Sequence, residues 1–158
     1  MDLRKQFVDN LIKLAENDNT IILLTGDLGF NFLERFAEKF PDKYINCGIA
    51  EENMVGVAAG LALACKKPYV YSNAIFLLSR AHEFVKNDVA YNNLNVKLIG
   101  TGAAGFLGFS HNIGDEESEK NWLKGMPNIQ QFYPQNENEL AEAMEKSYKD
   151  NSPAYVRI

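Results

Sequence analysis

"YINCGIAEENMVGVAAGLALACKKPYVYS", residues 44–72, decides the architecture. Its two ends are rich in Tyr, Ile and Val, residue types that suit strands. Its middle opens with Glu51 and Glu52 and then runs from Met54 to Ala64 without a charge. Acids suit the first turn of a helix and Lys66–Lys67 suit the region just past its end. The stretch therefore predicts a helix over Glu51–Lys66, stopped by Pro68, between strands "KYINCGI" and "PYVYSNA". Strand, helix and strand in so short a span make a βαβ unit, whose strands are parallel.

The same alternation continues outward. "MDLRKQFVDNLIKLAEND" carries Leu3, Phe7, Leu11, Leu14 and Ala15 at helical spacing and reads as an amphipathic helix. "TIILLTGD" is a strand ending in Gly-Asp, and "NFLERFAEKF" is a helix. Ser79–Asn92 reads as a further helix and "NVKLIGTGA" as a strand. After an irregular Gly-rich stretch come a short helix near Glu119–Gly125, the strand "NIQQFYP", an acidic helix over Asn136–Lys149 and the closing strand "PAYVRI". The expected fold is a three-layer α/β/α domain over residues 1–158, with a mostly parallel sheet. In such sheets ligands bind outside the carboxyl ends of the strands. Those ends carry Asp27, the segment 48–52, the segment 72–76 and the segment 100–111.

The chain has 158 residues, enough to bury a core without staples. Its net charge of −5 argues against a broad nucleic-acid surface. The two cysteines, Cys47 and Cys65, show no metal-ligand spacing. Without a targeting pattern or a long apolar run, the expectation is a cytoplasmic protein with reduced thiols and no membrane contact.

Acids at a helix start have a plain reading as caps. Gly56 and Gly60 pull against it, because each costs about 1 kcal/mol relative to Ala in a helix. They predict close packing against the sheet or a second copy. Glu51 would then lie at a crevice edge or a subunit boundary, where a carboxyl can exchange protons.

The quoted stretch resembles the pyrimidine-binding domain of transketolase and deoxyxylulose-5-phosphate synthase, which carry G-[IV]-[AR]-E at this place. The resemblance continues through "SRAHEFVKNDVAYNNLNVKLIG" and "GMPNIQQFYPQNENELAEAM" to "PAYVRI", nearly the whole chain. It implies a subunit of a thiamine-diphosphate-dependent enzyme that transfers or condenses a ketol unit on a sugar. In these families the Glu of the motif, here Glu51, bonds N1′ of the cofactor's pyrimidine and activates it. The resemblance implies an aromatic ring stacked on that pyrimidine. Phe76 is the candidate, but the spacing to Arg80 is one residue longer than the synthase pattern, so Leu77 competes. Arg80 and His82 are implied near the cofactor or substrate. Asp27 matches an acid near the cofactor, with turn formation as the alternative. Ile49 and Glu52 are expected at the pocket wall or an interface, and His111 is the candidate substrate contact.

The acids Asp115, Glu116, Glu117 and Glu119 depart from the family's loop. They read as a solvated acidic run that would repel a phosphate, unless Lys120, Lys124 or a partner supplies charge. No G-D-G…N motif for the diphosphate and its Mg2+ is found. The resemblance therefore implies a split enzyme, with thiamine diphosphate shared with a diphosphate-binding subunit that holds the Mg2+, in an α2β2 assembly. A thiamine-dependent 2-keto acid decarboxylase subunit and a non-catalytic scaffolding homologue are the alternatives.

Overall fold

A computed structural model describes residues 2–102 and 116–158. Helix α1 (Leu3–Asn17) starts at Asp2, whose carboxylate accepts from Arg4 N at 3.1 Å, and it buries Phe7, Val8, Leu11 and Ala15. Strand β1 (Ile21–Thr25) follows, then α2 (Glu34–Lys39), a 3-10 turn (Pro41–Lys43) and β2 (Tyr44–Asn46). Helix α3 (Glu51–Leu63) leads to β3 (Lys67–Asn73).

A composite helix comes next: π-helical Phe76–Arg80, α4 (His82–Phe84) and π-helical Val85–Tyr91. Strand β4 (Lys97–Thr101), α5 (Glu116–Leu123), β5 (Gln130–Phe132), α6 (Glu137–Lys149) and β6 (Ala154–Arg157) complete the described residues. Helix α6 begins at Asn136, whose side chain accepts from Glu139 N at 3.0 Å, while Glu139 reaches back to Gln135 N at 2.8 Å. That reciprocal arrangement satisfies N–H groups that helix geometry leaves without partners.

The six strands form one sheet in the order β2-β1-β3-β4-β6-β5, and every described pairing is parallel. Alternate residues of each strand feed two cores. Ile22, Leu24, Val70, Leu98 and Tyr155 pack against α3, the composite helix and Leu123 of α5. Ile21, Leu23, Tyr69, Tyr71, Ile99 and Val156 pack against α1, α2 and α6. Strand β1 is buried along its whole length, as a strand covered on both faces must be.

Three expectations are corrected here. Helix α3 ends at Leu63, so Lys67 does not sit at its end; it opens β3, and its ammonium pairs with Asp18 at 2.9 Å. Of the two packings expected for the glycines of α3, the one against this chain's own sheet is not found. A Cβ at Gly56 would meet only Phe84, at 3.8 Å, and one at Gly60 would meet nothing within 4 Å. Met54, Val55, Ala58 and Ala59 form the buried side instead. Third, the helix after β3 begins at Ala74 rather than Ser79, and its π turn follows from Phe76.

Candidate active site

The strand order reverses direction at β1 and β3: the chain leaves β1 for β2 on one side and returns to β3 on the other. A crevice opens outside the carboxyl ends of two strands so arranged. The helix that follows β2 delivers Glu51 there. Its N-cap residue is Ala50, which makes no side-chain cap, and the carboxylate of Glu51 bonds other elements rather than the start of its own helix.

Glu51 is 1% exposed. Its Oε2 accepts from Nη1 of Arg80 at 2.7 Å, and its Oε1 from Oγ of Ser72 at 3.3 Å. The third wall is backbone: a Cβ on Gly26 would lie 3.4 Å from both Glu51 Oε1 and the carbonyl oxygen of Gly48. A buried carboxylate needs a partner charge or several donors. Here the charge comes from one long side chain that is itself 37% exposed.

The guanidinium of Arg80 also lies over the ring of Phe76, 4.7 Å from its centre. The π turn explains how the longer spacing is absorbed. The amide of Ala81 bonds the carbonyl of Phe76 at 3.1 Å, a turn one residue wider than an α turn, and Phe76 and Arg80 remain neighbours. Leu77, the competing residue, is fully buried in the core under α3. Phe76 is half-buried at the crevice.

Asp27 takes the left-handed conformation (φ 59°) just after β1. Asn46, at the end of β2, accepts from Asp27 N at 3.1 Å and from Gly48 N at 2.9 Å, and its amide donates to Asp27 Oδ1 at 3.1 Å. Asp27 thus forms the turn, and the Asp27–Asn46 pair ties the end of β1 to the loop that presents Glu51. Ile49 projects from that loop and is 75% exposed, while Glu52 is half-buried beside Glu51.

His82 is not brought to the carboxylate. Its Nδ1 lies 3.1 Å from the carbonyl of Leu78, and its ring meets Trp122 of α5 edge-on, with centres 5.7 Å apart. The π turn before it changes the helical phase, so His82 faces α5. His111 and Asp115 lie outside the described residues.

The acidic run is not uniformly solvated. Glu119 is fully buried on α5; it accepts from the hydroxyl of Tyr155 at 2.9 Å and from Nε of Arg157 at 3.3 Å. Burial raises its pKa above the usual carboxylate value, opposed by those two donors. Glu116 pairs with Lys120 at 2.6 Å. Two of the acids are therefore matched by cations, which weakens the expected repulsion toward an anionic substrate. Among the described residues, no group of three or more His, Cys, Asp or Glu side chains is gathered as a metal site, and no helix is long and apolar enough to cross a membrane.

Sequence reasoning placed Ser72 only within the segment 72–76 at a strand's carboxyl end, and it missed Asn46 and Gly26 as parts of the site. Ser72 had a signal: in "PYVYSNA" it alternates with Tyr71 and shares a face with Val70, the face that α3 covers.

Comparison with known proteins agrees with this layout. The family model for the transketolase pyrimidine-binding domain matches residues 1–158. One of the subunits of apulose-4-phosphate transketolase from Actinobacillus succinogenes is 43% identical over 126 residues, covering 78% of this chain and 40% of that protein. A putative transketolase C-terminal section from Methanocaldococcus jannaschii is 32% identical over 160 residues, covering 99% and 50%. The solved structure of a split-gene transketolase, an inactive β4 tetramer, superposes with a TM-score of 0.86 at 32% identity over 98% of this chain and 50% of that one. The chain thus spans about half the length, or less, of these relatives. Campylobacter jejuni transketolase, 19% identical with a TM-score of 0.80, shares the fold. A buried acid at the switch point of a parallel sheet, on a sequence matched from end to end, places this chain in the transketolase pyrimidine-binding domain family.

Proposed function

We propose that this chain is the smaller component of a two-part, thiamine-diphosphate-dependent transketolase-like enzyme that moves a ketol unit between sugars in the cytoplasm. The observation that carries the reading is Glu51: a carboxylate 1% exposed, at the topological switch point, whose charge is matched by the 37% exposed Arg80.

The residues present fit the pyrimidine half of the cofactor. Glu51 offers a buried carboxylate to a ring nitrogen, Phe76 an aromatic surface, and Gly26 and Gly48 a wall without side chains. When bound, thiamine diphosphate supplies the nucleophile that adds to a carbonyl carbon and the electron sink that lets the neighbouring C–C bond break. Glu51 holds a proton at the ring nitrogen and, being excluded from water, does so without competition from solvent. Ser72 fixes the rotation of the carboxylate through Oε1. Asn46 and Asp27 hold the loop that aims it.

The diphosphate and Mg2+ are assigned to a second polypeptide, a division supported by the likeness to a split-gene transketolase. The natural assembly is α2β2, with Ile49 and the exposed side of α3, Gly60 and Leu63, at its seams. Relatives named for apulose 4-phosphate and for 6-deoxy-6-sulfo-D-fructose suggest an anionic ketose as donor.

Calorimetry tests the reading. Thiamine diphosphate should give no binding heat with this chain alone and should bind once a diphosphate-binding subunit is added. Glu51→Gln should fold and assemble yet lose ketol transfer by about 10²–10⁴-fold. Normal turnover in that variant, or tight binding by the lone chain, would reject the proposal. Release of CO2 from a 2-keto acid without sugar transfer would move the assignment to a decarboxylase.

A further inference from the structure

The two groups that would receive the aminopyrimidine, Glu51 and Phe76, are the two that Arg80 already engages. Its Nη1 stands 2.7 Å from Glu51 Oε2, and its guanidinium carbon 4.7 Å from the centre of the Phe76 ring. A guanidinium is flat, bears N–H donors at its rim and lies against aromatic faces. In these respects it is a chemical likeness of an aminopyrimidine. We infer that Arg80 is a tethered stand-in for the cofactor's ring, neutralising Glu51 in the cofactor-free subunit and leaving when the ring enters. The inference rests on the proposed function, since it assigns the ring to this pocket.

Three features support displacement over a permanent pairing. Arg80 is 37% exposed while Glu51 is 1% exposed, so the arginine reaches in from the solvent side and can withdraw to it. It sits at the end of a π turn, whose wider ring of backbone atoms is a common feature of functional segments. Its cation lies over one face of Phe76 as well as against the carboxylate, so it stands where a ring stacked on that face would bind.

The thermodynamic consequence is competition. A buried carboxylate with no partner is strongly unfavourable, so Arg80 stabilises the cofactor-free chain. The cofactor binds only the fraction of molecules in which Arg80 has withdrawn, and the apparent affinity falls by that fraction. Cofactor capture is then conditional on the second subunit, whose diphosphate contacts supply the affinity that removes the arginine.

The experiment compares wild-type, Arg80→Met and Arg80→Lys chains, each assembled with the diphosphate-binding subunit, by calorimetry with thiamine diphosphate and by thermal melting with and without it. Arg80→Met should bind the cofactor about ten-fold more tightly or better. Its cofactor-free melting temperature should fall while the saturated one stays at the wild-type value. Arg80→Lys, which keeps the charge but cannot lie flat and reach the carboxylate together, should fall between, and it serves alone if Arg80→Met fails to assemble. Unchanged or weaker binding, or melting temperatures that fall equally in both states, would overturn the inference, since Arg80 would then still be paired in the loaded enzyme. A wild-type assembly that binds no thiamine diphosphate would instead remove the functional reading beneath it.

Discussion

Tyr155, fully buried on β6, carries its hydroxyl across the backbone of Gly100 to donate to Glu119 of α5 at 2.9 Å. The crossing works only because residue 100 has no side chain. A Cβ there would stand 2.3 Å from the Tyr155 oxygen and 2.7 Å from two of its ring carbons. Those ring atoms sit in a packed core and cannot step aside. Gly100→Ala should therefore destabilise the chain by about 1–3 kcal/mol or more, as overpacking does. Urea unfolding measures it. Tyr155→Phe in the same background should recover part of the loss by removing the closest atom.

Phe76 and Leu77 are adjacent in sequence and differ in burial. Leu77→Ala empties a fully buried position and should cost about 2–5 kcal/mol of stability. Phe76→Ala should cost less than that and chiefly weaken thiamine diphosphate binding by the two-subunit assembly. Parallel denaturation and calorimetry on both variants read the difference. An equal stability loss with no change in binding would contradict the assignment of Phe76 to the pocket.

Asn46 holds both Asp27 and Gly48 through one side chain. Asn46→Ala should loosen the loop ahead of Glu51 at a cost of about 1–2 kcal/mol. Amide exchange at Gly48 should quicken while exchange in β3 stays slow, because the opening is local. Protection at Gly48 equal to wild type would show that the loop is held by other means.

Lys97 gives the chain a distinctive alkaline response. It is fully buried, its ammonium donates to the carbonyls of Asp150 and Ser152 at 2.9 and 2.6 Å, and burial pushes its pKa down to about 8. The unfolded chain holds that proton up to its ordinary 10.5. Between these values the unfolded state binds more protons, so stability rises with pH across that window. Tyr69, Tyr71 and Tyr155 act in the opposite sense above pH 10, because burial raises their pKa values and the folded state then holds the extra protons. Stability followed by urea titration should climb above pH 8 and turn down past pH 10. Lys97→Met should remove the climb and leave the fall.

The architecture was legible because its signal is local. Strands such as "IILLT" are continuously apolar and helices such as α6 carry their own caps, so element type follows from neighbouring residues. Glu51 could be singled out because its motif is contiguous, and the structure adds its burial. What escaped is what needs distance. Asn46 and Ser72 act on residues 19 and 21 positions away; alternation gives Ser72 its face of the strand, but no local pattern names the distant residue that either one holds. His82 contacts the Leu78 carbonyl and Trp122 after a π turn, an irregularity that a fixed period of 3.6 cannot anticipate. Glu119 was read with its acidic neighbours as solvated. A run of like charges looks uniform in sequence, while a helix turns only some of its members inward.

The sheet's two borders, β2 and β5, are each only three residues long. A ledge that short offers too few free backbone groups to template the strand of another molecule. Crowded chains are thereby denied runaway edge-to-edge polymerisation. Any lasting association must use the helical layers and the loops, surfaces whose side chains can choose a companion.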